Sequence, residues 1–142
     1  MTQTLKAVTV SQGSVQIDGT LTAPVTVEEG AGLVVSAPAD GVKPEIVGDL
    51  TFDGYGSLAY GVSATGVNVP LSVRGDVSVA DGKKVTVALS ATGVNEPTLL
   101  QAQNALSLAS FARGANCPRL VLTDEGRTLC GAARSGMVIL FY

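Results

Sequence analysis

Two cysteines are the residues of this chain best suited to covalent chemistry. They are Cys117 and Cys130, and a disulfide between them would close a loop of about 14 residues and stabilise the fold by about 3 kcal/mol. Two cysteines in a small extracellular domain are typical of one bridge. The alternative is that both stay unpaired and pack as small apolar side chains. Two thiols in a chain without histidine do not complete the usual zinc ligand sets, so no metal site is predicted.

Acidic residues occur in pairs and at recurring positions beside glycines. Glu28-Glu29 and Asp124-Glu125 lie at predicted turn tips, where carboxylates stay hydrated, whereas acid–base catalysis needs a carboxylate whose pKa is raised by burial. The chain also lacks histidine, the commonest general base. Stacked aspartates could offer oxygen ligands to calcium, but their spacing is sparser than in calcium-binding β-roll repeats; they are Asp49, Asp53, Asp76 and Asp81. We therefore predict no enzyme activity, no catalytic residue, no metal site and no cofactor.

Two short charged motifs resemble known binding motifs, but their length or their position between predicted strands argues against a binding role. Asp81-Gly82-Lys83-Lys84 is shorter than a phosphate-binding loop and is interpreted as a solvated turn. Arg74-Gly75-Asp76 is the tripeptide that some animal adhesion receptors bind on exposed, flexible loops. Here it lies between two predicted strands and aligns with Val47-Gly48-Asp49. It is therefore predicted to be a corner of a repeat.

The elements that position these residues are short strands with a period of two. Three triplets each place two apolar side chains on one face and a hydroxyl on the other: Val25-Thr-Val27, Leu50-Thr-Phe52 and Val77-Ser-Val79. Turns containing Asp-Gly or Glu-Gly follow at short intervals. The pattern predicts an all-β protein.

The strands belong to a repeat with a step of about 27 residues. The hexapeptide SATGVN begins at Ser63 and returns at Ser90, and a looser version begins at Ser36. We divide the chain, a single domain spanning 1–142, into repeats and a closing segment: 24–44, 44–70, 70–97 and 98–142. Self-similarity at such a period is typical of solenoids and related repeat folds.

A parallel β-helix, or β-solenoid, of coils of about 27 residues is the predicted fold, and an antiparallel β-sandwich or barrel is the alternative. Equal turns at equal spacing favour identical corners stacked above one another. A narrow interior also suits a chain rich in Val and Leu with three Phe, three Tyr and no Trp. The Asp-Gly turns fit hairpins equally well, which keeps the alternative open.

Residues 97–113 are compatible with two local structures. The apolar positions lie near a helical period, with Pro97 in the first turn and Gly114 as the C-cap. The favoured interpretation is a strand over Thr98–Gln101 and a second strand over Leu106–Leu108, because Pro97 precedes it as Pro44 and Pro70 precede theirs.

Composition excludes several partners. Charged residues make up 15% of the chain, against about 25% in ordinary domains, and the net charge is −3 with the basic residues scattered singly. No cationic stripe is available for a phosphate backbone, so nucleic acid is not an expected partner. No apolar run reaches the length of a membrane-spanning helix.

The rhythm of the repeats resembles the β-strand repeats in passenger regions of bacterial autotransporter-type surface proteins. The residues that carry the resemblance are GDLTFDGYGSLAYGVSA from Gly48, GDVSVADGKKVTVALSATG from Gly75, and the closing segments PTLLQAQ, RLVLTDEGRTL and SGMVILFY. The resemblance implies a parallel β-helix at the cell surface with a role in adhesion or display. We accordingly expect a non-enzymatic, extracellular or surface-exposed structural domain that self-associates into a homo-oligomer or fibre, or binds other surface proteins. The alternatives are a decoration or fibre protein of a phage or virion, located in the virion, and a carbohydrate-binding β-helix.

Overall fold

The chain folds into a parallel β-helix. A computed structural model describes residues 7–39, 41, 43–64, 67–90 and 97–132. The strands are β1 Val8–Val10, β2 Ser14–Ile17, β3 Thr20–Leu21, β4 Val25–Val27, β5 Gly32–Val35, β6 Glu45–Ile46, β7 Leu50–Phe52, β8 Gly56–Tyr60, β9 Leu71–Val73, β10 Val77–Val79, β11 Val85–Leu89, β12 Thr98–Gln101, β13 Phe111–Arg113, β14 Leu120–Thr123 and β15 Thr128–Gly131. A 3₁₀ turn at Leu108–Ser110 precedes β13.

Each coil contributes one strand to each of three sheets. Sheet 1 has the order β1-β4-β7-β10, sheet 2 the order β2-β5-β8-β11-β13, and sheet 3 the order β3-β6-β9-β12-β15-β14. Successive coils are therefore β1–β3, β4–β6, β7–β9 and β10–β12, which we call coils 1 to 4. Every pairing among β1 to β13 is parallel. The predicted solenoid is thus confirmed, and the antiparallel sandwich or barrel is not the fold.

The number of residues between aligned positions of consecutive coils increases where a turn is longer. Leu50 lies opposite Val77, an offset of 27 residues. Gly56 lies opposite Val85, an offset of 29 residues. The two additional residues are accommodated in the turn from β10 to β11, because surface turns tolerate insertions that strands do not.

This lengthened step moves the repeated hexapeptide out of register. Tyr60 pairs with Leu89, so Ser90 lies above Gly61 rather than above Ser63. The backbone N–H of Val62 donates to the Ser90 hydroxyl at 2.8 Å. The two copies therefore begin on adjacent coils but two residues apart, and the predicted stack of identical hexapeptide corners is wrong in register. Thr65, Gly66 and residues 91–96 lie outside the described residues.

The core is a set of apolar columns that run through the coils. Aligned residues of consecutive coils fill the interior, and their exposed fractions are close to zero; examples are Val25–Leu50, Val27–Phe52, Leu33–Leu58–Val87 and Val35–Tyr60–Leu89. The residues between them point outward, as the triplets predicted. Burial of each such side chain contributes about 1.5–3 kcal/mol.

The hydroxyl of Tyr60 is a polar group inside this core. The Tyr60 hydroxyl donates to the backbone carbonyl of Leu99 at 2.6 Å. Leu99 lies at an irregularity of β12, where the register against β15 shifts between Thr98 and Leu100. The hydrogen bond therefore satisfies a carbonyl at the site where β12 bulges.

The Gly-Asp pair that recurs in two repeats, Gly48-Asp49 and Gly75-Asp76, forms a stacked corner between sheets 3 and 1. A Cβ on Gly75 would lie 2.5 Å from the Gly48 carbonyl oxygen, and a Cβ on Gly48 would lie 2.7 Å from the Ala23 carbonyl oxygen. The Asp49 carboxylate accepts the backbone N–H of Asp76 at 2.9 Å. Glycine is therefore needed for the close approach of the coils, and aspartate ties each corner to the next.

Residues 97–113 form strand, loop, 3₁₀ turn and strand. Thr98–Gln101 is the predicted strand β12, which excludes the helical alternative there. The second predicted strand, over Leu106–Leu108, is wrong; strand β13 begins at Phe111 instead. Leu106 is buried and its backbone N–H donates to the Gly126 carbonyl at 2.7 Å, so the chain here is held by the β14–β15 turn rather than by a neighbouring coil.

Sheet 3 ends in an antiparallel hairpin, although its pairings from β3 to β12 are parallel. β14 pairs with β15, and β15 pairs with β12, both antiparallel. The hairpin uses the outer edge of β12, so a further parallel strand cannot be added there. The segment SGMVILFY, residues 135–142, lies outside the described residues.

Candidate functional site

The two cysteines lie in different environments, and among the described residues neither is bonded to another cysteine. Cys117 is buried within the apolar core, and burial raises the pKa of its thiol despite the opposing effects of Arg113 and a backbone hydrogen bond from Gly114. Cys130 is half-buried on β15, and its sulfur lies 3.5 Å from the Thr123 hydroxyl oxygen. Disulfide formation between them stays a prediction, which gel mobility with and without reductant checks.

The paired carboxylates lie at exposed turn tips, as expected from the sequence. Glu28 and Glu29 are exposed in the turn from β4 to β5. Asp124 and Glu125 are exposed in the β14–β15 turn, where the Arg127 guanidinium lies 3.5 Å from one carboxylate and 3.6 Å from the other. Exposure leaves these groups hydrated, which suits solubility rather than proton transfer.

Two of the four spaced aspartates come together. Asp49 and Asp76 lie one coil apart at the Gly-Asp corner, and the Asn104 side-chain amide donates to the Asp76 carboxylate. Asp53 and Asp81 are exposed in separate turns of sheet 1. Within the part of the chain that the structure describes, no group of three or more His, Cys, Asp or Glu residues is arranged to hold a metal ion.

Lys83, in the charged turn Asp81-Gly82-Lys83-Lys84, contacts residues in the turns of two other coils. The Lys83 ammonium lies 3.3 Å from a Glu29 carboxylate oxygen and 4.7 Å from the centre of the Tyr55 ring. These three residues belong to the turns that join sheet 1 to sheet 2 in coils 2, 3 and 4. The contacts assign Lys83 a structural part in stacking the turns.

The Arg74-Gly75-Asp76 tripeptide is a repeat corner, as its context predicted. Gly75 is buried against the corner below, and Asp76 is bonded on both sides. The Arg74 Nε donates to Glu45 at 2.5 Å. Such a corner does not present the flexible loop that receptor recognition of this tripeptide requires.

Coil 1 presents three strand edges. β1, β2 and β3 stand at the ends of their sheets, so within the described residues each has a neighbouring strand on one side only. On β1, the Val8 N–H donates to Pro24 and the Val10 carbonyl accepts from Glu28, so the peptide groups of Thr9 face the open side. Unpaired strand edges of this kind are templates for pairing with another chain.

A groove on the outer face of sheet 3, lined by polar side chains and by Pro44, Val69 and Pro70, was missed by the sequence reasoning. Two adjoining depressions, of about 490 and 330 Å³, share Ser72, Arg74 and Gln101 in their linings. Lys43 and Glu45 line the second depression. The signal was present in the repeat, because Glu45 and Ser72 lie one and two residues after the prolines that open two repeats. No motif, however, identifies such a groove before the coils are stacked.

No helix among the described residues is long and apolar enough to cross a membrane. The coarse part of the resemblance drawn from the sequence, a β-helix built of repeats, is what the structure shows. No family model matches the sequence, and neither do the curated proteins or the solved structures with which it was compared.

Proposed function

We propose that this chain is a non-enzymatic structural repeat domain of a bacterial surface protein or extracellular assembly, which acts through self-association or surface display. The observation that carries the proposal is the set of parallel strand edges on coil 1, each with a partner strand on one side only among the described residues. A second copy that adds its strands there would continue the same ladder.

The chemistry of the ends supports association through backbone hydrogen bonds. Of the inward-facing residues of coil 1, Val10 and Ile17 are only 4% exposed, whereas Val8, Val15 and Leu21 are partly buried. A partner at this end would therefore pair with the free N–H and C=O groups of β1 to β3 and cover the remaining apolar surface of these side chains. Pairing by strand addition uses main-chain bonds for affinity and side chains for specificity.

The proposed location at a bacterial surface rests on the rhythm of the repeats, which resembles that of autotransporter passenger regions. The proposed absence of enzyme activity rests on a sequence without histidine and on paired carboxylates that are exposed. A stacked, narrow core is also suited to an elongated support, because the strands of each coil pair only with those of the neighbouring coils.

Substitution Thr9→Pro tests the proposed association. Proline removes the N–H that faces the open edge of β1, and the bonds of β1 to β4 are left in place because they use Val8 and Val10. We expect the parent chain to show a mass that rises with concentration in size-exclusion chromatography with light scattering. We expect Thr9→Pro to lower that mass toward the monomer.

Thr9→Ala is the matched control, since it removes the same side chain but keeps the edge N–H. It should associate as the parent does. A parent chain that stays monomeric over the whole concentration range contradicts the proposal, and so does a Thr9→Pro variant that associates as strongly as Thr9→Ala.

A further inference from the structure

The groove of sheet 3 is built from a column of polar side chains. The register aligns Thr20, Glu45, Ser72 and Gln101 on four consecutive coils. Neighbouring parallel strands lie about 4.8 Å apart, so this column offers a hydrogen-bonding side chain at that interval along the coil axis. The groove therefore contains a column of polar side chains that runs across four coils.

Arg74 is held in place beside this column. Its Nε donates to one oxygen of Glu45 at 2.5 Å, and the other oxygen of Glu45 accepts from the Thr20 hydroxyl at 3.3 Å. The Arg74 side chain is nevertheless 69% exposed, against 21% for Glu45. Since Nε is engaged, the two terminal amino groups of the guanidinium are left for a ligand, in the fork geometry that matches a carboxylate.

The groove carries positive charge in a chain whose net charge is negative. Lys43 lines the same depression as Arg74 and Glu45, is exposed, and forms no ion pair with any residue that the structure describes. Two cations and one carboxylate leave the groove with a net charge of +1, although the chain as a whole has a net charge of −3. The complementary ligand is an anion.

Three of the four strands beneath the groove are not available to a peptide backbone. β6, β9 and β12 each have a neighbour on both sides, so their N–H and C=O groups are used in the sheet. A peptide adding as a strand would need a free edge, and of these strands only β3, which carries Thr20, has one. The hydroxyl and amide groups of Thr20, Ser72, Gln101 and Gln103 are suited instead to a ligand rich in hydroxyl groups.

We propose that the groove of sheet 3 binds a linear acidic saccharide, with Arg74 and Lys43 pairing with its carboxylates and the Thr20–Gln101 column bonding its hydroxyls. This assignment goes beyond the proposed structural function, because a β-helix can self-associate without a ligand. The Thr9→Pro experiment and the binding experiment therefore succeed or fail independently.

The test is an NMR or calorimetric titration of the full chain with galacturonate oligomers. Maltohexaose serves as the neutral saccharide, hexaglutamate as the acidic peptide, and inorganic phosphate as the simple anion. We expect galacturonate oligomers to bind more tightly than the other three, and the affinity to fall as salt is added.

Variants locate the binding. Arg74→Gln should weaken binding by about tenfold or more, because a hydrogen bond to a charged group is lost. Arg74→Lys should restore binding only in part, since lysine keeps the charge but not the fork. Lys43→Gln gives a second variant outside the corner, for use if substitution of Arg74 disturbs folding as judged by circular dichroism. Arg127→Gln is the control, an arginine in the β14–β15 turn whose side chain is 42% exposed, and should bind as the parent does.

Three results would overturn the assignment. They are the absence of saturable binding of galacturonate, equal or tighter binding of hexaglutamate or phosphate, and binding that Arg74→Gln and Lys43→Gln leave unchanged. Selective galacturonate binding that depends on Arg74 or Lys43 supports it.

Discussion

At the scale of single residues, Tyr60 shows how the narrow core accommodates a polar group. Its ring fills a column between Val35 and Leu89, and its hydroxyl donates to the carbonyl of Leu99. Burial raises its pKa well above the ordinary value of 10.0, and nearby Cys117 adds to the effect. The hydroxyl therefore stays protonated and remains a donor throughout the neutral range.

Tyr60→Phe should destabilise the fold by about 1–3 kcal/mol, because it leaves the buried Leu99 carbonyl without its donor. Urea denaturation gives the free energy of unfolding. Tyr55→Phe is the matched control, since Tyr55 is 53% exposed, and should change stability little. Equal stability of Tyr60→Phe and the parent would show that the hydrogen bond is dispensable.

The same variant has a pH signature. Since the folded pKa of Tyr60 lies above its ordinary value of 10.0, the native state keeps a proton that the unfolded chain loses above that pH. This stabilising contribution is complete below pH 10.0 and is lost as pH rises further. Tyr60→Phe should therefore show a shallower fall in stability above pH 10.0, though not a flat one, because the raised pKa of Cys117 acts in the same direction from 9.0 upward.

At the scale of elements, the β14–β15 hairpin departs from the pattern of the coils. It is antiparallel, and its turn places Asp124 and Glu125 in the left-handed region, with φ of 54° and 58°. Residues other than glycine are strained there by about 1–2 kcal/mol. The turn also accepts the N–H of Leu106 through the Gly126 carbonyl, so it anchors the loop before the 3₁₀ turn.

Glu125→Gly should raise the free energy of unfolding by about 0.5–1 kcal/mol, because glycine adopts positive φ without strain but loses more chain entropy on folding. Glu125→Gln is the control: it removes the exposed ion pair with Arg127, which is worth little, and keeps the strained backbone. Thermal unfolding of both variants separates the two effects. A glycine variant no more stable than the glutamine variant would argue against strain in this turn.

At the scale of the whole molecule, stability should be graded along the coil axis. Strands β7 and β8 lie between neighbours on both sides, and their residues Leu50, Phe52 and Leu58 are fully buried. In coil 1, Val8 and Val15 are only partly buried. In a stack where the strands of each coil pair only with those of neighbouring coils, an end coil lacks one set of strand pairings and opens more readily.

Amide hydrogen exchange followed strand by strand should therefore show the slowest exchange in β7 and β8 and faster exchange in β1 and β2, by about tenfold or more. β11 in coil 4, which has β8 and β13 on its two sides, is the control and should resemble β8. Uniform protection from coil 1 to coil 4 would mean that the β-helix unfolds only as a whole.

Much of this fold follows from local pattern. The triplets beginning at Val25, Leu50 and Val77 predict strands because alternation of side chains is a property of the single strand. The recurrence of Gly48-Asp49 as Gly75-Asp76 predicts a stacked corner. The close approach of one coil to the next requires glycine at both corners, and the Asp49 carboxylate accepts a hydrogen bond from the corner of the next coil.

Tertiary structure alone decided the contacts that depend on register between coils. The longer turn before β11 moved Ser90 off Ser63, the hairpin took the place of a further parallel strand, and Leu106 was buried under that hairpin instead of joining a strand. Arg74 and Glu45, 29 residues apart, meet only because their coils are neighbours. The amino-acid pattern by itself determines which residues of a strand face inward, since that depends on adjacent residues. Which residues of neighbouring coils meet depends on the lengths of all the turns between them, and these are fixed only when the coils stack.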